Sequence, residues 1–308
     1  MKKYMICIIV AGVFWGLMGL FVRLLSAQDF ETGGIVQLRS LMAAICFCVT
    51  ILIKDKSLFK IKLKDIWCFL GAGLLAMLTF SYCYYTSMSY ISLSAAAILL
   101  YTAPIIVVLL SLPIFKEKIT SNKIIAVISA FIGCCLVSGI ATGAGQFPMI
   151  GILFGLGSGL CYALYSIFAK LALQRGYNSL TINFYACLLS GLGSLVVWSP
   201  APAIATLSAS SWNVFLVIAT GVVTCYLPYL FYTYGLSGLE TGKSSVLASL
   251  EPVVATLVGV IIFREPMTLT SLIGVILVIS AIVILSIDLR SITMRIIHAF
   301  APKSNSNP

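Results

Sequence analysis

The sequence holds a single histidine, His298, only nine acidic residues, and no CxxC pair among its ten cysteines. Metal sites need donors at fixed spacing, and membrane enzymes need clustered acids or a nucleophile beside a base. Neither set is present, so no cofactor is expected and the chain is read as no enzyme. The cysteines all fall inside apolar runs, where a thiol packs as a small apolar side chain. Charge is scarce as well: 9% of residues are charged, against roughly 25% in soluble domains. With 61% hydrophobic residues and a mean hydropathy of +1.11, a soluble fold is excluded. The chain also lacks any long polar segment with which a receptor or scaffold would work.

What is there is a series of apolar runs, each close to the length a helix needs to cross a hydrocarbon core of about 30 Å. They predict ten transmembrane helices, at residues 4–25, 32–53, 66–86, 92–115, 123–142, 150–173, 178–198, 211–234, 241–263 and 270–288. The opening MKKYMICIIV has the charged start of a signal peptide. Its apolar region is too long, has no small-x-small cleavage site and leads into further spans, so it is expected to be the first helix. The lipid bilayer is thus the first partner.

A net charge of +10 can signal nucleic acid, but the positions of the basic residues argue otherwise. With the N-terminus inside, sixteen of the nineteen fall on the inner side and only Arg264 in an outer loop; Arg23 and Arg39 are the remaining two. This is the positive-inside bias. It predicts a multi-pass protein of the cytoplasmic membrane with both termini cytoplasmic, and no nucleic-acid partner.

The chain repeats itself. Shifted by 148 residues, Pro104 meets Pro252, Phe115 meets Phe263, Glu117 meets Glu265 and Thr120 meets Thr268 without a gap. At a shift of 147, Gly12 meets Gly159, Trp15 meets Tyr162 and Arg23 meets Lys170. The expected units are residues 1–145 and 146–290, joined near ATGAGQFPM, with a basic cytoplasmic tail at 291–308. Five spans is an odd number, so the second copy enters the membrane from the opposite side. The expected fold is all-α, with ten helices in two inverted-topology repeats, an arrangement that places a substrate site near the midplane at the repeat interface.

FWG at Phe14–Gly16, Arg39 early in the second span, TAPI around Pro104 and LEPVVA around Glu251 and Pro252, with IFKEKIT and IFREPMT ending spans 4 and 9, recur in order along residues 5–288. In these the sequence resembles the EamA family of the drug/metabolite transporter superfamily. One departure is that Lys116 and Arg264 stand where that family often has glycine before the terminal Glu. The resemblance implies a ten-helix carrier, often an exporter, of small metabolites such as amino acids or of drug-like compounds.

The intramembrane polar residues supply the candidate site. Glu251 lies about nine residues into span 9, roughly 13 Å deep. Acids at such depth mark ion pathways and proton relays, which makes Glu251 the proton-coupling candidate; the alternative is a neutral Glu bonded across helices. Arg39, roughly 10 Å below the outer end of span 2, is expected either to line the cavity, within reach of Glu251, or to snorkel to the headgroups. Tyrosines recur at helical spacing in spans 3 and 8 and offer apolar rings with hydroxyls. Tyr82, Tyr101 and Tyr232, with Trp15, lead as substrate contacts, packing or an aromatic belt being the alternative. Pro228 is expected to bend span 8. Glu117 and Glu265 close helices whose dipoles disfavour negative charge, so each needs a partner, most simply at Thr120 or Thr268 in the following helix. Gly12 and Gly16, and Gly151, Gly155 and Gly159, have the spacing of close helix contacts.

Together these predict a secondary transporter that moves a small metabolite across the cytoplasmic membrane by alternating access, as an exporter, with protons as a candidate partner. A facilitative, channel-like permease without ion coupling is the alternative. Substrate identity and oligomeric state are left open, although two complete repeats can work as one chain.

Overall fold

The computed structural model describes residues 1–91, 93–137 and 148–286. The expected tail at 291–308 with His298, the joint at 141–147 and the last residues of expected spans 5 and 10 lie outside the described residues. Among the described residues the regular structure is all helix. In chain order the long helical segments are α1 (Lys2–Ser26), α2 (Thr32–Lys54), α3 (Leu63–Tyr90), α4 (Ala95–Phe115), α5 (Ser121–Val137), α6 (Met149–Gln174), α7 (Ser179–Val197), α8 (Ser211–Ser237), α9 (Thr241–Phe263) and α10 (Leu269–Leu285). Eight of these are long and apolar enough to cross a membrane, while α5 and α10 are apolar but shorter. The 17 residues described for each make about 26 Å of helix, and both run up to the limit of the described residues.

The main interfaces join the two halves of the chain. Helix α5 lies along α10, α2 along α7, α3 along α6, and α1 along α8. Exchanging the halves maps this set of four onto itself.

The repeat also governs where helices are irregular. Helix α4 breaks at Tyr101–Thr102 and resumes as Ala103–Phe115; α9 breaks at Ser249–Leu250 and resumes as Glu251–Phe263. A shift of 148 takes 101 and 102 onto 249 and 250. Pro104 and Pro252 cause both breaks: each lacks an N–H and is tolerated only in the first turn of the resuming half. Helix α3 carries a π-helical stretch at Gly71–Leu78 and α8 one at Val222–Tyr226, and the same shift carries 71–78 onto 219–226. Pro228 follows only the second, so proline alone does not account for the widened turns.

Each resuming half-helix ends on a left-handed residue, Lys116 (φ 54°) and Arg264 (φ 56°). Glycine is the natural occupant of that conformation, and a side chain there costs roughly 1–2 kcal/mol. The two halves of the bundle also approach each other closely at their breaks. A Cβ on Gly16 would stand 2.7 Å from the Glu251 carbonyl oxygen, and one on Gly159 would stand 2.8 Å from that of Leu99 and 2.6 Å from Thr102 Oγ1. These glycines let α1 and α6 lie against the broken points of α9 and α4.

Candidate functional site

Two cavities meet at Tyr162. The first, a narrow space of about 10 Å³, is walled by Trp15, Phe80, Tyr162, Tyr165, Tyr229 and Tyr232 with Met77, Cys161 and Ser166. The second, about 20 Å³, is walled by Tyr101, Pro104, Tyr162, Ser245, Ser249 and Glu251. Tyr162 stands in both walls, and its hydroxyl donates to Glu251 Oε2 at 3.3 Å.

The break in α9 explains how Glu251 is accommodated. It is the first residue of the resuming half-helix, where backbone N–H groups are unpaired and the dipole is positive, so an acidic side chain is favoured. The proline that opens the helix therefore also prepares the place for the acid.

The first cavity is an aromatic box. Trp15 packs against Tyr229, Tyr232 and Tyr162 with ring centroids 5.3, 5.2 and 6.2 Å apart. Several hydroxyls are committed to neighbours: Tyr232 shares a 2.6 Å hydrogen bond with Ser166, and Tyr165 donates to Asn183 Oδ1 at 2.6 Å. Asn183 in turn donates to the Tyr229 carbonyl at 3.0 Å. These bonds fix the rings, leaving their faces to line the space.

Of the residues singled out in the sequence, Trp15 and Tyr232 line the first cavity and Tyr101 and Glu251 the second. Tyr82 lines neither. It is 44% exposed and its ring packs on Phe154 and Trp198, because the three-residue spacing with Tyr85 does not say which face of α3 turns inward. Arg39 is buried at 6% exposure, so it does not snorkel, and it forms no ion pair with Glu251. Its Nη1 donates to Met18 Sδ at 2.8 Å, and its Nε has no partner. Tyr162, Tyr165 and Phe80 are wall residues that the sequence reading passed over, while Tyr229 belongs to the tyrosines recurring at helical spacing in span 8. The signal for Tyr162 was its pairing with Trp15 at the shift of 147.

The ends of the bundle differ. At one end Glu117 accepts the backbone N–H groups of Thr241 and Gly242, the first residues of α9. Buried Lys123 lies 3.4 Å from Glu117 and 2.8 Å from Glu240. The expected partner, Thr120, instead caps α5 by accepting the Lys123 N–H at 3.2 Å. Burial pushes the Glu117 carboxyl up, but the Thr241 and Gly242 amides, with Lys123, pull it below its ordinary value. Lys170 donates to the Leu236 and Leu239 carbonyls at 2.8 and 2.7 Å. At the far end of α9, Glu265 is 2.6 Å from Arg23, with the side chains 47% and 55% exposed. Thr268 there accepts the Ser271 N–H rather than partnering Glu265. The correction has one cause: sequence proximity suggested the next helix, whereas the carboxylates reach across to other parts of the bundle.

All ten cysteines are free, and no cluster of three metal-ligating side chains occurs among the described residues.

The EamA-like transporter family model matches residues 2–139 and again 149–287. Two uncharacterized transporters of Archaeoglobus fulgidus are 28% and 27% identical, covering 89% and 90% of this chain and 95% and 94% of their own length. An uncharacterized transporter of Bacillus subtilis, YxxF, is 26% identical over 80% of this chain and 78% of its own. A solved crystal structure shares the fold with a TM-score of 0.80 at 15% identity, covering 94% of this chain and 99% of that one. With two family matches end to end and the same repeat written into its helix breaks, the chain belongs to the EamA-like transporter family and is a membrane transporter.

Proposed function

We propose that this transporter is a secondary carrier that moves a small metabolite, an amino acid or a related drug-like compound, out of the cell across the cytoplasmic membrane by alternating access. In this reading its ten helices form two inverted repeats, residues 1–145 and 146–290, with both termini and the tail cytoplasmic. Glu117 then lies at the inner face and Glu265 at the outer. Trp15, Tyr101, Tyr232 and Glu251 contact the substrate, Tyr162 joins them, and Glu251 carries the coupling proton. Tyr82 is not carried into the site, because its ring packs away from both cavities.

The observation that carries the reading is the unequal state of two equivalent carboxylates. Glu117 is sealed over the start of α9, whereas Glu265 stands half-exposed beside Arg23. Under the 148-residue shift the counterparts of Thr241 and Gly242 are Leu93 and Ser94, at the start of the helical run Leu93–Leu100 that leads into α4. A carrier needs two states in which the roles of its halves are exchanged. In the second state Glu265 leaves Arg23 for the amides of residues 93 and 94, and Glu117 lets go of α9. The breaks at Tyr101–Thr102 and Ser249–Leu250 support this, since discontinuous helices form the binding sites of such folds.

The test is counterflow in proteoliposomes, after a thermal-shift panel of amino acids, nucleosides and cationic drugs has found a binder. A carrier accelerates entry of labelled compound when unlabelled compound is inside. Entry that ignores the trans compound would reject alternating access in favour of a permease.

A further inference from the structure

Arg39 lacks the partner that a buried cation requires. No carboxylate among the described residues lies within 4 Å of it. Its one described side-chain partner is the Met18 thioether, a weak acceptor, and its Nε is buried with none. Desolvating a charge without compensation is among the most unfavourable arrangements a fold can hold, so a complementary charge is expected from elsewhere.

Its surroundings say where that charge enters. Met18 follows the interruption of α1 at Leu17. Gly221, immediately before the π-helical stretch of α8, packs against the backbone of Arg39, with a Cβ there 3.4 Å from the Arg39 carbonyl oxygen. Arg39 thus sits between two irregular points of the bundle. Tyr229, in the next turn of α8, lies within its electrostatic reach, as Glu251 does without an ion pair, and Tyr229 also lines the aromatic cavity against Trp15. Glu251 belongs to the second cavity, beyond Tyr162. Arg39 itself stands in the wall of neither cavity.

Resting on the carrier reading above, we propose that Arg39 anchors the anionic head of the substrate, and that the cargo is a small organic monoanion, a carboxylate with an apolar or aromatic body. A planar guanidinium fork matches the two oxygens of a carboxylate. One guanidinium balances one negative charge, which favours a carboxylate over a doubly charged phosphate monoester. The body then rests against Trp15 and Tyr229, whose rings give apolar surface without further charge.

Three compounds that share one body and differ in head charge test this: 3-phenylpropionate, 3-phenylpropanol and 3-phenylpropylamine. Binding of each is measured on the full chain in lipid nanodiscs by calorimetry. The wild type is expected to hold the propionate at least about tenfold tighter than the alcohol. Arg39→Gln is expected to erase that preference by weakening propionate binding about tenfold. Arg39→Lys keeps the charge but not the fork, and is expected to retain only part of the preference, which keeps the test decisive should the Gln variant fold poorly. The proposal is overturned if the alcohol or amine binds the wild type as well as the propionate, if none of the three binds, or if the preference survives Arg39→Gln. Counterflow with the same compounds separates the two readings. A propionate that binds through Arg39 without counterflow sinks the carrier and spares the anchor, while counterflow indifferent to head charge does the reverse.

Discussion

Glu117 and Glu265 hold the same place in the two repeats, each following a left-handed residue at the end of a broken helix, yet Glu117 is sealed against the start of α9 while Glu265 stands in the open beside Arg23. Matching positions in similar local sequences, IFKEKIT and IFREPMT, stand in two different environments. Removing the charge should then act unequally. Glu117→Gln leaves buried Lys123 with less compensation and weakens two amide hydrogen bonds, a loss of about 2–3 kcal/mol. Glu265→Gln removes an exposed pair and should change stability by less than about 1 kcal/mol. On a cysteine-free background, Ser245→Cys in α9, buried in this state, should resist an impermeant maleimide until Glu117→Gln is added. Equal labelling with and without that change would mean that Glu117 closes nothing.

The same latch has a pH signature. Burial raises the Glu117 carboxyl, the Thr241 and Gly242 amides and Lys123 outweigh it, and the net shift is downward. A group lowered in the folded state adds stability above its unfolded value, about 4.3 for Glu, and that contribution is lost as pH falls through the lowered folded value. Melting temperatures recorded from about pH 3 to about pH 7 should therefore separate wild type from Glu117→Gln at neutral pH and bring them together at the acid end. A constant gap across the range would show that the lost stability does not come from the ionised carboxylate.

Glycine contacts offer a test of packing that needs no substrate. A Cβ on Gly159 would meet the Leu99 carbonyl at 2.8 Å and Thr102 Oγ1 at 2.6 Å, whereas one on Gly19 would meet nothing within 4 Å. Gly159→Ala should cost about 1–3 kcal/mol through forced displacement of α4. Gly19→Ala should be neutral or slightly stabilising, since alanine is the better helix former by about 1 kcal/mol. Matching thermal shifts for the two would show that α6 and the break of α4 are not in the close contact described.

The repeat was the most legible feature of the sequence, because prolines and acids inside apolar runs are rare enough to be aligned by eye. The pairing of Pro104 with Pro252 marked the neighbourhood of both helix breaks, which fall two to three residues before the prolines. Which face of a helix turns inward was not legible: an apolar span is hydrophobic all round, so Tyr82 and Tyr85 looked alike. The partners of Glu117 and Glu265 were hidden for a different reason, since each carboxylate pairs with a segment far away in the sequence. Arg39 was found by its charge, but that it makes no ion pair with Glu251 is something depth along the chain does not report.

Glu251 and Tyr162 share the last test. The Tyr162 hydroxyl donates to Glu251 Oε2 at 3.3 Å, and a proton carried by Glu251 has to be exchanged in the presence of that donor. Once counterflow has identified a substrate, Glu251→Gln should still equilibrate it down its own gradient but no longer respond to an imposed pH gradient, because the amide neither binds nor releases a proton. Tyr162→Phe should keep a response to the pH gradient but slow transport, since the buried carboxylate loses a hydrogen bond worth about 1–3 kcal/mol. Tyr82→Phe, at a ring 44% exposed and outside both cavities, should leave the rate unchanged and controls for aromatic substitution in general. A Glu251→Gln protein that follows the pH gradient as well as the wild type would remove Glu251 from coupling and leave it a structural acid at the head of its half-helix.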